Sequence, residues 1–552
     1  MGCKMKHGNN RFVKQAMFLS IVGILVKIIG VAYGVPLTNI IGDLGNTYYS
    51  SAYYVYSIIL LICSYSIPMG LSKIMSERIA TGQYRTANRV FQCALLYVCL
   101  VGGGASLLTF VFADRIVDFK QSIITMKILA PTIFLSGILS VFRGYYQAKG
   151  TMLPTAISQL LEQLVNAAAS IWFAITWTRL YLLNGNNTGI AEYGAAGGAA
   201  GTGAGVAVAL IFILILFCVN RSKQKTNSST VSDTAALSYK ETFKLIFAML
   251  TPVIISTCLY NFVGIFDMKL YFRIIQMKSL DITADASLYG IFSRKYSPLA
   301  NVPIAIASSM VAAMVPVLST AYARKEFQVV KHRIYSGMKY SMLFVIPAAF
   351  GLGALAEPIL NLLFPNSDIL AVHLLQIGSV SIILYGVSTV LNGALQGIGK
   401  VNVPLKNSGI ALMIHMAVLI PLLLFTDLKI YALIATVILY SLTVCILNLS
   451  AVHKTLGYVQ EIKQTFCIPL LSAIAMSLTA RISYQLIDKV ILSGHLTPRI
   501  SCGIGVMFAV AAGAFIYFFT VLNLGDYEEE LKRFPILQLV VIRKRRSKQK
   551  AA

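Results

Sequence analysis

Lys27 stands twelve residues into an apolar run that begins at Gln15. At about 1.5 Å of rise per residue it lies about 18 Å from the start of a helix, close to the middle of a hydrocarbon layer about 30 Å thick. An ammonium at that depth costs at least about 2.5 kcal/mol on insertion scales, so it faces either a wet cavity or an anionic partner, unless its stem snorkels to the interface. A second group, Gln159, Glu162, Gln163 and Asn166, has spacings of three, four and seven that put all four on one helical face. Such a face either lines a cavity or joins helices by hydrogen bonds. Two roles are open to Glu162: neutralising Lys27, or holding a coupling proton or cation. A third group, Asn261, Asp267, Lys269, Arg273, Arg294 and Lys295, gathers towards the outer ends of two further runs. Arg294 precedes Pro316 by 22 residues, about 33 Å of helix, which sets it at an outer interface or vestibule. A guanidinium offers a fork of donors suited to phosphate oxygens, whereas a snorkelling Arg-Lys pair explains the same two residues without a ligand.

None of these residues forms a set for bond-making chemistry. There is no phosphate-cradling Walker loop, no paired-histidine metal pattern and no Gly-x-Ser-x-Gly elbow, so the sequence points to no catalytic residue, no metal and no cofactor. His415 is a lone histidine inside an apolar run and reads as a packing residue. The cysteines sit in or beside apolar runs without a Cys-x-x-Cys pair, as small apolar fillers.

The elements that carry these residues are set by the solvent. Of the 552 residues 57% are hydrophobic and 12% charged, with a mean hydropathy of +0.74, against about 25% charge in a soluble domain. A spanning helix takes about 20 mainly apolar residues, and the sequence offers fourteen such runs. They are Gln15 to Val35, Tyr48 to Pro68, Val90 to Phe112, Ile123 to Phe142, Pro154 to Thr176, Ala196 to Val219, Phe243 to Phe266, Leu288 to Val317, Tyr340 to Ala356, Ile369 to Leu395, Pro404 to Phe425, Ile430 to Leu449, Phe466 to Ile487 and Ile500 to Leu522. The reading is an all-α polytopic membrane protein.

The net charge of +25 does not imply nucleic acid, because Lys and Arg avoid the apolar runs. They concentrate in both tails and the even-numbered loops, which places both termini in the cytoplasm of a cell-membrane protein. The run Arg543-Lys544-Arg545-Arg546-Ser547-Lys548 reads as a solvated tail beside anionic headgroups.

The two halves echo each other at an offset near 250. Arg143-Gly144-Tyr145-Tyr146-Gln147 followed by Pro154 resembles Asn392-Gly393-Ala394-Leu395-Gln396 followed by Pro404, and Pro68 to Ser72 resembles Pro316 to Ser319. Six spans per half is an even number, so the halves share one topology about an axis along the membrane normal, as in transporters that bind substrate between their halves. The expected organisation is a tail (1–14), an N-lobe (15–226), a C-lobe (227–456), a final helix pair (457–523) and a basic tail (524–552). Arg143, Gln147 and Gln396 fall where a cytoplasmic gate would form.

The string Ser140 to Gln147, with Met152, Pro154, Ala156, Ser158-Gln159, Glu162-Gln163 and Val165, resembles the stage V sporulation protein B and polysaccharide-biosynthesis flippase group. That group belongs to the multidrug, oligosaccharidyl-lipid and polysaccharide exporter superfamily. Ile67-Pro68 to Ser72-Lys73 and Asn301-Val302-Pro303 to Pro316-Val317-Leu318-Ser319 extend the resemblance over most of the chain. It implies a V-shaped bundle of two lobes that flips undecaprenyl-pyrophosphate-linked sugars, with lipid II the best-known cargo. It also implies a cationic cavity lined from the first and eighth helices, and a lipid-tail groove formed by the last pair, here Phe466 to Leu522. Lys27 matches the first-helix position as lysine rather than arginine, and Arg294 matches the eighth at a different distance from Pro316.

On this basis the cavity and coupling residues are Gln159, Glu162 and Asn166, and the substrate-binding residues are Lys27, Asn261, Arg273, Arg294 and Lys295. The expected partners are an anionic polyprenyl-linked saccharide and membrane lipids, together with cell-wall synthesis proteins, and the chain is expected to work as a monomer. Membrane potential, H+ or Na+ would drive it. Two other functions stay open: a drug and cation extruder of the same superfamily, which would want acidic cavity residues, and a non-transporting scaffold in cell-wall or spore-cortex assembly.

Overall fold

In the computed structural model the described residues are 2–65, 67–183, 189–224, 238–278, 281–364, 368–491 and 498–525, and they contain helices and no strands. In chain order the helices are α1 (Gly2–Leu60), α2 (Ile67–Ala80), α3 (Tyr84–Tyr97), α4 (Gly103–Val111), α5 (Ala113–Ile116), α6 (Ser122–Ala148), α7 (Leu153–Leu183), α8 (Ile190–Gln224) and α9 (Tyr239–Lys278). There follow α10 (Ile282–Ile291), α11 (Ser297–Ala323), α12 (Phe327–Ala354), α13 (Ala356–Leu363), α14 (Ile369–Gly397), α15 (Asn402–Phe425), α16 (Ile430–Leu456), α17 (Ile468–Ile491) and α18 (Pro498–Leu524). Single π-helical turns join several of them, at Leu61–Tyr65, Val98–Gly102, Phe292–Tyr296 and Lys463–Cys467.

The fourteen apolar runs fall on these helices, yet ten helices among the described residues are separately long and apolar enough to cross a membrane. The difference has physical causes. α1 carries two runs across an elbow at Gly42, whose φ of 70° and ψ of 175° are non-helical and kink it into two halves. The polar face of α7 lowers its hydropathy, and the eighth run, spread over α10, a π turn and α11, includes residues 312, 313 and 316, whose side chains lie outside the described residues. The run on α9 includes residues 248–262, whose side chains lie outside the described residues.

The chain forms two compact units, Met1–Arg294 and Lys295–Ala552. The lobe boundary expected at 226/227 lies outside the described residues. α9 and α10 belong to the first unit, where the C-terminal half of α9 is fastened. Lys269 Nζ donates to Asp118 Oδ1 at 3.3 Å and to the Ile116 carbonyl at 3.0 Å, and Gln276 donates to the Asp118 carbonyl at 3.2 Å. Phe119 meets Phe272 edge to face at 4.7 Å between centroids.

The core of the first unit is built from Ile67, Leu71, Val90, Phe91, Leu139, Val141, Phe142, Val206 and Ile213. α7 and α8 press together along Gly197, Gly201 and Gly205. A Cβ on Gly197 would stand 2.7 Å from Ala174 N, one on Gly201 would overlap Ser170 N and Oγ, and one on Gly205 would overlap the Glu162 carbonyl oxygen. Where lipid removes the hydrophobic drive between helices, such close backbone contact supplies the packing that holds them together.

In the second unit α16 ends on Gly457 at φ 60°, and Glu461 then opens the next helical segment. Its carboxylate accepts from Gln464 N at 2.7 and 2.9 Å, from Thr465 N at 3.0 Å and from Thr465 Oγ1 at 3.2 Å. Burial works against the charge, but the N–H donors of Gln464, Thr465 and Lys463 outweigh it and hold the carboxyl below its ordinary value. Because the folded pKa is depressed, this contribution is present above the unfolded glutamate value of about 4.3 and is lost as pH falls through the folded value. Glu461→Ala is expected to cost about 1 kcal/mol at neutral pH. The gap from wild type should close in melts run below about pH 4, and a gap that persists there would assign the loss to something other than the charged cap.

Candidate functional site

The polar face of α7 meets three different helices. Arg143 on α6 reaches it with two bonds: Nη2 to Glu162 Oε2 at 2.7 Å and Nε to Ser158 Oγ at 2.9 Å. The two charged side chains are 14% and 30% exposed. Of the roles open to Glu162, the carboxylate is therefore engaged with Arg143 rather than with Lys27. Asn166 donates to Tyr33 Oη on α1 at 3.2 Å and accepts from Ser170 Oγ at 2.9 Å, while that hydroxyl also bonds the Gly198 carbonyl on α8 at 2.9 Å. Asn166 thus joins helices. Gln159 and Gln163 are half-buried on the same face, and a Cβ at Gly30 would stand 3.2 Å from Gln163 Nε2. Lys27 is exposed and lies one turn before Gly30, about 60° around the helix from it.

Arg294 sits in the Phe292–Tyr296 π turn, a local widening that re-aims side chains relative to a regular helix. The turn is held by the elbow of α1. A Cβ at Gly290 would overlap the Asp43 carbonyl oxygen. Thr47 Oγ1 donates to the Ala286 carbonyl at 2.6 Å, and Ser50 and Ser293 share a hydrogen bond at 2.9 Å. Arg294 Nε donates to Asn46 Oδ1 at 3.3 Å, and the guanidinium carbon stands 4.5 Å from the Tyr49 ring centroid. Its Nη2 is buried with no hydrogen-bond partner among the described residues.

The neighbouring lysine goes elsewhere. Lys295 opens the second unit, is buried, and has its Nζ 5.9 Å from the Phe364 ring centroid. Arg273 is exposed on α9, and the side chain of Asn261 lies outside the described residues. Gln147 is half-buried in the first unit and Gln396 exposed in the second. His415 is fully buried, with Nδ1 2.8 Å from the Thr436 carbonyl oxygen and its ring edge-on to Tyr440.

The repeat positions can be compared unit by unit. Gly144 receives a neighbouring helix, with a Cβ there standing 3.0 Å from Pro68 Cα; its counterpart Gly393 receives Val311. At the preceding residue the two units differ. Where Arg143 makes an ion pair, Asn392 ends a chain of buried amides: Asn407 Nδ2 donates to Asn448 Oδ1 at 2.8 Å, and Asn448 Nδ2 to Asn392 Oδ1 at 2.7 Å. Sequence reasoning missed Asn46, Asn407 and Asn448. Asn46 falls between apolar runs and reads as loop, although of the glycines beside it Gly45 sits close against Ala191 and Gly42 takes a positive φ.

A family model described as polysaccharide biosynthesis protein matches residues 12–322. The chain belongs to that family. A second model, MatE, matches residues 252–420. This family member is 22% identical over 552 residues to the lipid II flippase MurJ of Bacillus subtilis (strain 168), covering 95% of this chain and 97% of the relative. It is 23% identical over 545 residues to stage V sporulation protein B of the same organism, covering 96% and 99%. Among solved structures it is similar to lipid II flippase MurJ in an inward closed conformation, with a TM-score of 0.63 at 14% identity over 91% of this chain and 98% of that one. It is similar also to an inward-facing multidrug resistance MATE family transporter of the MOP superfamily, with a TM-score of 0.60 at 15% identity, covering 79% and 98%. The fold is that of these transporters, and the family member is a multi-pass membrane protein.

Proposed function

We propose that this family member is a flippase that carries an undecaprenyl-pyrophosphate-linked saccharide from the inner to the outer leaflet by alternating access, with lipid II the best candidate cargo. Arg294 carries the reading. Its guanidinium is stacked on Tyr49 and fixed through Nε, which leaves a buried donor on Nη2 for an anionic oxygen. A planar fork of this kind suits a phosphate better than it suits a cationic drug. Lys27, exposed on α1, is the second positive charge for the same head group. Full-length relatedness to a lipid II flippase and to a sporulation protein supports a lipid-linked saccharide over a soluble substrate. The loop charges support fourteen crossings with both termini cytoplasmic, in lobes 15–226 and 227–456. Moving a charge across the membrane releases about 2.3 kcal/mol per 100 mV, so potential, H+ or Na+ can drive the cycle.

Purified protein in vesicles, loaded with fluorescent lipid II and probed for outer-leaflet accessibility, tests this. Arg294→Ala is expected to lower flipping by at least tenfold with folding intact, and Arg294→Lys to recover only part, since an ammonium lacks the fork. Normal flipping by Arg294→Ala removes the proposal.

A further inference from the structure

We propose that Asn46 is a positioning residue for Arg294, and that it ties the orientation of the phosphate-binding guanidinium to the elbow of α1. The inference rests on the reading of Arg294 as the phosphate anchor. Asn46 is fully buried and uses both ends of its amide. Its Nδ2 donates backwards across the break, to the Gly42 carbonyl at 2.8 Å and the Thr38 carbonyl at 3.4 Å. Those carbonyls stand at the end of the first half of α1, where Gly42 turns to φ 70° and helix-end carbonyls call for a side-chain donor. With Nδ2 committed to the elbow, the amide plane is fixed and Oδ1 can point only forwards, where it accepts from Arg294 Nε.

An arginine side chain has four rotatable bonds, and burying it in one orientation gives up much of its rotamer freedom. One bond to Nε and one aromatic face against the guanidinium are enough to select a plane and a direction. Tyr49 supplies the face and Asn46 the bond. Nη2 stands next to Nε on the fork, buried and unpartnered among the described residues. Leaving such a donor unmet is unfavourable, a penalty that an arriving phosphate oxygen relieves. No other side chain among the described residues is seen to bond the Arg294 guanidinium, so the arginine is aimed for a ligand by a residue that does not itself touch one.

The decisive experiment measures undecaprenyl pyrophosphate binding to the purified full-length protein in detergent by native mass spectrometry, over four variants. Asn46→Ala is expected to weaken binding about tenfold, the worth of a hydrogen bond to a charged group. In an Arg294→Ala background the same change is expected to add nothing, because there is no longer a guanidinium to aim. Thr47→Val removes the neighbouring bond to Ala286 from the same elbow without touching Arg294, and is expected to lower the melting temperature while leaving affinity unchanged. Should Asn46→Ala fail to fold, Asn46→Ser keeps a capping oxygen at the elbow but cannot reach Nε, and is expected to show the same weakening. Equal losses from Asn46→Ala with and without Arg294, or a loss of affinity in Thr47→Val, would reduce Asn46 to a structural cap and overturn the inference. If Arg294→Ala weakens binding and Asn46→Ala does not, positioning alone fails. If Arg294→Ala binds normally, the proposed function fails first.

Discussion

Replacing Gly201 with valine is expected to abolish recovery of folded protein. A Cβ at this position overlaps the backbone nitrogen of Ser170, and Gly197 and Gly205, one turn to either side, are pinned just as closely against Ala174 and Glu162. Overpacking a core costs about 1–3 kcal/mol when side chains can shift. Here the obstacle is backbone, and α8 cannot retreat without opening the flanking contacts as well. The change also strips α7 of the Ser170–Gly198 bond that anchors Asn166. Size-exclusion profiles and melting midpoints in detergent check this, with Gly201→Ala expected to lie between wild type and valine. Gly34→Ala serves as the control, since a Cβ there meets nothing within 4 Å. A monodisperse Gly201→Val protein that melts with the wild type would show that α7 and α8 are less tightly joined than described.

The second large effect is expected at the Arg143–Glu162 pair. Removing one member leaves the other charged in low-dielectric surroundings, and for buried pairs that costs 3–5 kcal/mol. Partial exposure of Glu162, at 30%, moves the figure to the lower end, about 3 kcal/mol. Arg143→Met and Glu162→Met are each expected to lower the unfolding free energy by that amount. The double variant should regain most of it, because two apolar chains of similar volume replace two charges without leaving either one stranded. Strictly additive losses in denaturation in detergent would mean that the pair is not coupled.

What the sequence made legible follows from how each signal is written. Apolar length is local, so every run was found on helix, and the Gly-x-x-Gln repeat was found because both copies leave a helix at the same point. Helix-joining polar contacts were half legible. Spacings of three, four and seven put Glu162 and Asn166 on one face, but the choice of Arg143 and Tyr33 as their partners depends on which helices lie against that face. Depth along a helix placed Arg294 and Lys295 together. The π turn and the packing around it then sent Arg294 to Tyr49 and Lys295 to Phe364, because neighbours in sequence point about 100° apart on a helix. Asn46 was illegible for a different reason: the elbow that gives it meaning is made by a glycine torsion, and hydropathy carries no trace of a torsion.

The unlike junctions at the two repeat copies have an electrical consequence. Carboxamides hold no net charge at any physiological pH, so the Asn407–Asn448–Asn392 chain is indifferent to protons, salt and voltage. The corresponding place in the first unit holds a carboxylate and a guanidinium, a full pair of opposite charges. Duplication has therefore left a charged joint in the first unit and a neutral one in the second, so that only the first stores electrostatic energy between net charges.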